Sequence, residues 1–283
     1  MRNPQIIKTA VIPAAGMGKR LRPLTRAIPK PLLPLGRKPV IQHIVEELAN
    51  AGIEKIVFIT GESGDLLEKH FSCSEIAGRD VEFLYIRQHK PLGLGHAVLQ
   101  AARILKDEQF VVALGDSIIN EEDAGNLVGK MIRTAEKNSA AGVIAVQEVP
   151  LDEVSNYGIV GTKEKVEKDI YRLNRIVEKP DVENTPSQLA VCARYILPGS
   201  IFTALEKNSP QNGEGEWELT HAISAEIEAG NSWWAVDIGD KRTRLDIGRF
   251  SNYFPAIMRY ILEDEELGEM LRKELSGYFH ENH

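Results

Sequence analysis

The sequence predicts an α/β fold, with a Rossmann-like, mostly parallel central sheet, helices on both faces, an inserted lobe and a C-terminal helical tail. Two observations support this fold class. Short apolar runs alternate with amphipathic stretches through the first half of the 283-residue chain, as expected of right-handed βαβ units. After residue 140 strand-like runs dominate, and from residue 250 the apolar residues recur at helical spacing.

The first half is predicted to alternate strands with crossover helices. The predicted strands are Val11–Pro13, Lys55–Thr60, Val81–Ile86 and Phe110–Leu114, and the predicted helices are Pro39–Ala51 and Gly93–Leu105. Proline suits the first turn of a helix and glycine the position after its end, so Pro39 and Gly52 define the first helix. Ligands of such sheets lie beyond the carboxyl ends of the strands, which is where any site is expected.

The second half is predicted to contain more strands than helices. The predicted strands are Gly142–Val149, Tyr157–Gly161, Ile170–Val177, Leu189–Ile196 and Trp233–Ile238. The predicted helices are Ser200–Lys207 and Glu216–Glu228. The stretch from Phe250 to about Leu275 has helical spacing, with an acidic face at Glu263–Glu266. We interpret residues 1–249 as one domain, with halves of about 1–140 and 141–249, and residues 250–283 as a tail. The tail either packs on its own core or contacts a second copy of the chain.

Composition excludes several classes of protein. The net charge is −7, which argues against non-specific nucleic-acid binding. No apolar stretch approaches the roughly 20 residues of a membrane span, and Met1–Pro4 leads into a strand without a visible signal peptide. Cys73 and Cys192 are the only cysteines. Two distant cysteines favour a reducing compartment, so a cytoplasmic location is expected.

The loop after the first strand is the most informative segment. It reads Gly16-Met17-Gly18-Lys19-Arg20-Leu21-Arg22-Pro23-Leu24-Thr25, and Pro29-Lys30-Pro31 follows. Residues 19–38 include seven basic residues and no acidic one. A glycine-rich turn brings backbone N–H groups close to a phosphate, and the basic residues favour a polyphosphate. Leu21 stands where a dinucleotide fingerprint needs its third small residue, and no Walker loop string occurs.

The spacing G-x-G-x-R-x-x-P-x-T, followed by P-K-P, resembles the signature of the sugar-phosphate nucleotidyltransferases. The resemblance implies that Arg20 and Lys30 are catalytic cations on a nucleoside triphosphate. It also implies that the loop around the glycines binds the nucleotide; its predicted contacts are Ala14, Ala15, Gly16 and Gly18. Arginine offers a planar fork to phosphate and lysine a point charge, which suits both assignments. Arg26, Arg37 and Lys38 fit a solvated surface equally well.

Two aspartates match the paired metal ligands of this family. Asp116 follows a predicted strand in Leu-Gly-Asp-Ser, and Asp246 stands in Leu-Asp-Ile-Gly. Magnesium takes one or two carboxylates together with phosphate oxygens, so Mg²⁺ is the cofactor that the resemblance implies. Asp237 lies in the same Asp-Ile-Gly string, but Asp246 is preferred because it precedes the terminal helix.

The resemblance also assigns base and sugar contacts. It implies that Gln88 and Gly93 read uracil or thymine, since an amide offers both a donor and an acceptor. It implies that Gly158 and Glu178 hold sugar hydroxyls and that Lys179 meets the sugar phosphate. The segment from 215 to 220, Gly-Glu-Trp-Glu-Leu-Thr, is similar to one that opens a helix near the sugar.

Four sequence segments favour those members of the family that transfer a uridylyl group from UTP to glucose 1-phosphate, giving UDP-glucose and pyrophosphate. These segments are residues 93–98, 156–160, 177–180 and 194–195. Pro31 and Ala193 depart from that subgroup, which usually has glutamate and glycine there. A thymidylyltransferase, another sugar-nucleotide pyrophosphorylase and a non-catalytic sugar-nucleotide-binding regulator therefore stay open. The expected partners are UTP or dTTP and glucose 1-phosphate, with a homodimer or homotetramer as the assembly and neither nucleic acid nor membrane.

Overall fold

A computed structural model describes residues 7–62, 64–72, 76, 78–120, 126–210, 215–239 and 243–281. Its strands are β1 (Thr9–Ala14), β2 (Pro34–Leu35), β3 (Lys38–Pro39), β4 (Lys55–Thr60), β5 (Glu82–Arg87), β6 (Phe110–Ala113), β7 (Ser117–Asn120), β8 (Gly142–Glu148), β9 (Gly158–Glu167), β10 (Ile170–Glu178), β11 (Leu189–Leu197), β12 (Trp233–Asp237) and β13 (Thr243–Asp246). Its helices are α1 (Val40–Asn50), α2 (Gly64–Phe71), α3 (Leu94–Leu99), α4 (Ala102–Leu105), α5 (Asn126–Asn138), α6 (Ile201–Lys207), α7 (Leu219–Glu228), α8 (Phe250–Leu262) and α9 (Gly268–Glu281).

The central sheet joins both halves of the sequence. Its strand order, over the residues described, is β5-β4-β1-β6-β11-β8-β12-β10-β9. The first four strands are mutually parallel, and so are β8 and β12. Within this sheet, over the residues described, β11 and β10 run in the direction opposite to the other seven strands. The sheet is therefore mostly parallel, and the predicted fold class is confirmed.

Both faces of the sheet are covered by helices. Alternate residues of the buried strands point to opposite faces, so that Ile12 and Phe58 lie in one core while Val11 and Val57 lie in another. The first core receives apolar residues from α1, α2, α5 and α8. The second core receives them from α3, α4, α6 and α7. Strands buried on both faces read as continuous apolar runs, which explains why they could be recognised in the sequence.

Several elements differ from the sequence-based predictions. The predicted helix Gly93–Leu105 is two helices, α3 and α4, because the amides of Gln100 and Ala101 bond three residues back and tighten the turn between them. The predicted helix Glu216–Glu228 begins only at Leu219. The helices α2 and α5 and the strands β7 and β13 were not predicted at all.

The prediction of one continuous tail helix was wrong. The tail is two helices, α8 and α9, and the acidic stretch forms the turn between them instead of a helix face. Asp264 explains the break, since its Oδ1 accepts the backbone amides of Glu266 at 3.1 Å and Leu267 at 2.9 Å. An aspartate that binds amides two and three residues ahead stabilises a turn and competes with helix continuation.

Among the residues described, no helix is both long enough and apolar enough to cross a membrane. Cys192 is a buried free thiol, and burial raises its pKa to about 11. Cys73, the other cysteine, lies outside the described residues.

Candidate functional site

The carboxyl ends of β1, β4 and β6 meet at one edge of the sheet. Glycines allow the chains to approach there: a Cβ on Gly115 would lie 3.0 Å from the Pro13 carbonyl oxygen, and one on Gly61 would lie 3.1 Å from that of Ala15. A cavity of about 310 Å³ opens beside them. Its lining includes five residues predicted to bind nucleotide, a predicted catalytic cation and a predicted metal ligand: Ala14, Ala15, Gly16, Gln88 and Gly93, then Lys30 and Asp116. We call this cavity the upper pocket.

The glycine-rich loop folds back on itself and thereby fixes the position of Lys30. Gly18 adopts a φ of +57°, and a Cβ there would meet the Thr25 side chain at 2.9 Å and the Lys30 Cβ at 3.2 Å. The Thr25 hydroxyl donates to the Gly18 carbonyl at 2.8 Å. The spacing of glycine, threonine and lysine in the signature therefore has a local packing reason. Gly18 itself does not line the upper pocket.

Lys30 forms an ion pair with Asp116 across the upper pocket. The Lys30 Nζ donates to Asp116 Oδ2, and the lysine side chain is only 10% exposed whereas the aspartate is 37% exposed. The structure thus brings together a predicted catalytic cation and a predicted metal ligand. A charged lysine taken out of water needs such a partner or a bound anion.

The other basic residues of the loop separate into two groups. Arg22 and Arg26 line a second cavity of about 500 Å³ that adjoins the upper pocket through Gly16 and Lys30. Arg37 instead pairs with Asp264 and Glu266 of the tail, and Lys38 pairs with Glu46 on the surface. Those last two cations point away from the site.

Arg20 lies near the second predicted metal ligand. It does not line the upper pocket, although its side chain is exposed. A Cβ on Gly248 would lie 3.3 Å from Arg20 Nη2 and 2.8 Å from Asp246 Oδ1. The guanidinium is thus placed beside the loop that carries Asp246, where it can contribute positive charge to the same region.

The two predicted metal ligands are neighbours because β7 pairs with β13. Asp246 lies opposite Ser117, and the Ile247 amide donates to the Asp116 carbonyl at 2.9 Å. The two carboxylates are 37% and 36% exposed. No cluster of three or more His, Cys, Asp or Glu side chains suited to a metal occurs in the described part of the chain. A pair of part-exposed carboxylates still fits Mg²⁺, which keeps waters and phosphate oxygens as its other ligands.

Gln88 is held in a fixed orientation at the wall of the upper pocket. Its side chain is 6% exposed, and its Nε2 lies 2.7 Å from Nδ1 of His96. Burial lowers the pKa of His96, which favours a neutral ring with one nitrogen able to accept a hydrogen bond. With one N–H engaged, the amide retains its oxygen as an acceptor and a second N–H as a donor.

Gly93 serves the packing of the pocket wall. Its φ is +102°, and a Cβ would clash with the backbone of Trp217, at 2.8 Å from the nitrogen and 3.0 Å from the oxygen. Trp217 in turn exchanges backbone hydrogen bonds with Leu92 and Gly95. These contacts join the helix α3 to the 215–220 segment. The close approach of the Trp217 backbone therefore requires a glycine at position 93, whether or not a ligand also approaches it.

A smaller cavity of about 190 Å³, the lower pocket, continues the site past Leu94 and Leu114, which line both cavities. Glu178 and Lys179 line it together with Gly158. Thr220 Oγ1 donates to Glu178 Oε2 at 2.6 Å, and Lys179 Nζ lies 2.9 Å from Glu178 Oε1. The predicted sugar-phosphate residues are therefore gathered in one pocket.

The charges of the lower pocket influence one another. The hydrogen bond with Glu178 raises the pKa of Lys179, which keeps the ammonium charged. Burial, reinforced by the charge of Glu178, raises the pKa of Glu218, a further carboxylate that lines this pocket. The pocket thus combines a firmly charged ammonium with hydrogen-bonding groups suited to hydroxyls.

Comparison with known proteins identifies the family. The family model described as "Nucleotidyl transferase" matches residues 9–263. The chain belongs to the nucleotidyl transferase family. It is 36% identical to the UTP–glucose-1-phosphate uridylyltransferase of Bacillus subtilis (strain 168), covering 96% of this chain and 97% of that protein.

Solved structures agree with this family assignment. A UDP-glucose pyrophosphorylase complexed with UDP-glucose is 34% identical, with a TM-score of 0.81 over 90% of this chain and 98% of that one. The UTP-bound enzyme of Acinetobacter baumannii is 31% identical, with a TM-score of 0.81 over 95% and 98%. This chain is accordingly an enzyme of the nucleotidyltransferase class, and the fold of its central sheet matches theirs.

Sequence reasoning missed several residues of this nucleotidyltransferase site. His96, Glu218 and Arg244 contact or line its pockets, yet none was predicted to have a role, although His96 and Glu218 lie within segments that the sequence analysis quoted. Their only signal in the sequence is proximity, since His96 follows Gly93 by three residues and Arg244 precedes Asp246 by two. Asp237, the second Asp-Ile-Gly string, has a local role: its Oδ1 accepts the Gly239 amide at 2.9 Å.

Proposed function

We propose that this enzyme transfers a uridylyl group from UTP to glucose 1-phosphate, giving UDP-glucose and pyrophosphate, in a magnesium-dependent reaction. The observation that carries the proposal is the pair of adjoining pockets. The upper pocket presents an oriented amide and a buried ammonium, and the lower pocket presents a carboxylate and a second ammonium. Relatives that match nearly the whole chain carry the name of this activity.

Gln88 suits the recognition of a pyrimidine base. Uracil and thymine present an N–H donor between two carbonyl acceptors, and the free oxygen and N–H of the amide complement that edge. When the proton of the neutral His96 ring is on Nε2, the contact of 2.7 Å opposes rotation of the amide by 180°, because the amide oxygen would then face an unprotonated Nδ1. In that orientation the amide disfavours cytosine, which reverses the donor and acceptor at N3 and the C4 substituent, whereas uracil and thymine differ by one methyl group, worth about 1–3 kcal/mol.

The cations of the loop suit the triphosphate. Lys30 Nζ lies at the floor of the upper pocket, and Arg22 and Arg26 line the adjoining cavity. Fixed cations at the phosphates stabilise charge that develops on the leaving pyrophosphate without the cost of reorganising water. Arg20, beside the loop of Asp246, is proposed to contribute to the same field.

Asp116 and Asp246 are the residues that would hold Mg²⁺, and the ion would supply neutralisation of phosphate oxygens. The ion pair of Lys30 with Asp116 must then loosen as the substrates arrive. The ammonium released from the carboxylate is left free to turn toward the triphosphate, so a single contact links substrate binding to the position of Lys30.

The lower pocket suits the sugar phosphate. Glu178 accepts hydrogen bonds from hydroxyls, and its orientation is fixed by Thr220 at 2.6 Å. Lys179 provides the cation for the phosphate. A phosphate oxygen of the sugar then attacks the α-phosphorus, the new O–P bond forms, and the bond from the α-phosphorus to the bridging oxygen breaks as pyrophosphate leaves. Holding both anions in line is the main contribution of the protein.

Substitution of two site residues tests the proposal. Lys30→Ala removes a cation from the upper pocket, and Asp116→Asn removes a metal ligand while keeping its shape. We expect kcat for UDP-glucose formation to fall by about 10²–10³-fold in each, which is the usual loss when one transition-state contact is deleted. Chelation with EDTA should abolish turnover, and added Mg²⁺ should restore it.

Lys38→Ala is the matched control, because Lys38 comes from the same basic segment but pairs with Glu46 on the surface. Its turnover should stay within about twofold of the unsubstituted enzyme, in line with the small worth of surface ion pairs. Full turnover in Lys30→Ala or in Asp116→Asn, with unchanged melting temperature, would remove those residues from the proposed site. A cytoplasmic location and a homo-oligomeric state remain predictions from the sequence.

A further inference from the structure

Arg244 enters the lower pocket from β13, and the function proposed above gives it no role. Its side chain is 16% exposed and lines the pocket with Glu178 and Lys179. The guanidinium lies 5.1 Å from the centre of the Tyr157 ring. Nη1 donates to the Val191 carbonyl at 3.2 Å. Stacking and this hydrogen bond together fix the direction of the side chain.

The positive charge of Arg244 is weakly neutralised. The acceptors of its hydrogen bonds are neutral, being the Val191 carbonyl and the Ser117 hydroxyl at 3.3 Å from Nε. Among the residues described, its ion pair is with Asp246, where Nη2 lies 3.8 Å from Oδ2. The buried Arg194, by contrast, binds Glu47 through two contacts of 2.8 Å and 2.6 Å. A guanidinium held away from bulk water without a close carboxylate favours an anionic ligand.

The position of Arg244 indicates which anion it would bind. It stands two residues from Asp246 on β13, so both side chains leave the same face of that strand. Nη2 of the guanidinium thus lies near the predicted metal ligand, and the same side chain lines the pocket of Glu178 and Lys179. The group expected between a metal site and a sugar pocket is the phosphate that links them.

We infer that Arg244 is a catalytic residue that binds the phosphate of the sugar 1-phosphate, the group that becomes the sugar-linked phosphate of the product. This inference rests on the proposed function. The planar fork of an arginine matches two phosphate oxygens at once, which a lysine cannot do. Together with Lys179, it would hold the attacking phosphate in line with the α-phosphorus of the triphosphate.

Equilibrium binding tests the assignment without requiring turnover. Calorimetry measures the Kd values of UDP-glucose and UTP, each with Mg²⁺, for the unsubstituted enzyme, Arg244→Gln and Arg244→Lys. The expected result is a loss of about 10–100-fold in UDP-glucose affinity for Arg244→Gln, as for one charge-assisted contact. The Kd of UTP should change by less than about threefold, and Arg244→Lys should recover part of the loss. The KM of glucose 1-phosphate should rise in parallel.

UDP-xylose distinguishes a contact with the phosphate from a contact with the C6 hydroxymethyl group, because xylose lacks that group. An equal loss for UDP-glucose and UDP-xylose supports a phosphate contact. A loss confined to UDP-glucose would show that Arg244 reads the C6 group and would overturn the inference. Arg172→Gln is the control, since Arg172 also has a long ion pair, 3.7 Å to Glu164, but lies outside the lower pocket.

Three further outcomes overturn either the inference or the proposed function on which it rests. If Arg244 is only a brace between β13 and β11, Arg244→Gln will lower the melting temperature and weaken UTP and UDP-glucose equally, and Arg244→Lys will not restore UDP-glucose selectively. If the unsubstituted enzyme binds neither UDP-glucose nor UTP, the proposed function itself fails. Binding by the unsubstituted enzyme with unchanged affinity in Arg244→Gln refutes the role of Arg244 alone.

Discussion

Ala193 shows how a single residue constrains the lower pocket. Its φ of +55° lies in the left-handed region that favours glycine, and its side chain is buried. The conformation is imposed by an irregularity of β11, whose register against β8 shifts between Val191 and Tyr195. Its carbonyl is used twice, accepting the Leu114 amide at 3.1 Å and Arg194 Nη1 at 3.0 Å.

We predict that Ala193→Val lowers the free energy of unfolding by about 2 kcal/mol or more, because a β-branched residue is strained at positive φ and overfills a buried site. Ala193→Gly is the control. Relief of strain and loss of a buried methyl group nearly cancel there, so stability should change by no more than about 1 kcal/mol. Urea unfolding followed by circular dichroism measures both. An Ala193→Val protein as stable as the parent would contradict the strain argument.

At the residue scale, the sequence was informative where a motif combines a local turn with charge. The gathering of Lys30, Gln88 and Asp116 in one pocket follows from strand ends that meet at one sheet edge. His96 and Arg244 could not be recognised this way, because their roles depend on which side chains they face after folding. A lone histidine or arginine is too common to indicate a site by itself.

At the element scale, a buried ion pair fastens α1 to β11 behind the site. Arg194 is fully buried and Glu47 is 3% exposed. Nη2 of Arg194 also donates to the Ser117 carbonyl at 3.0 Å, next to Asp116. The pair therefore connects the packing of α1 to the position of a predicted metal ligand.

We predict that Glu47→Gln lowers the free energy of unfolding by about 3–5 kcal/mol, because it leaves the Arg194 charge buried without its carboxylate. Glu46→Gln on the same helix removes a surface partner of Lys38 and should cost at most about 1 kcal/mol. Chemical denaturation of the two variants gives the comparison directly. Equal stability of Glu47→Gln and Glu46→Gln would show that the buried pair contributes little.

The elements that could be predicted are those with long apolar runs or clear caps. The bounds of β4 were predicted to the residue. The pairing of β7 with β13 was not, since these short strands are more than 120 residues apart and neither has a strong apolar pattern. The tail turn at Asp264 was also missed, because in the sequence this aspartate looks like any acidic residue on a helix face. Its bonds to the amides of Glu266 and Leu267 show the turn only in the folded chain.

At the scale of the whole molecule, the tail carries several of the exposed apolar side chains found among the described residues. Phe254 and Met258 stand one turn apart on α8 and are 56% and 42% exposed, and Met270 on α9 is 48% exposed. Exposed apolar groups of this kind favour contact with another protein surface. We therefore propose that the tail joins two copies of the chain.

The double variant Phe254→Glu, Met258→Glu is predicted to shift the enzyme from an oligomer to a monomer in sedimentation equilibrium, because charges at a buried interface are costly. Ile104→Glu is the control, since Ile104 is 39% exposed on α4, away from the tail. A parent enzyme that sediments as a monomer would contradict the proposed role of the tail.

The two adjoining pockets are proposed to catalyse nucleotidyl transfer between UTP and glucose 1-phosphate. The most direct test measures pyrophosphate release with Mg²⁺, pairing each of UTP, dTTP, CTP, GTP and ATP with each of the 1-phosphates of glucose, galactose and mannose. We expect the highest kcat/KM for UTP with glucose 1-phosphate, dTTP as the nearest competitor, and little release with CTP or the purine triphosphates. A preference for dTTP would correct the nucleotide and leave the site standing. Absence of pyrophosphate release from every pair, by an enzyme that still binds nucleotide, would contradict the account.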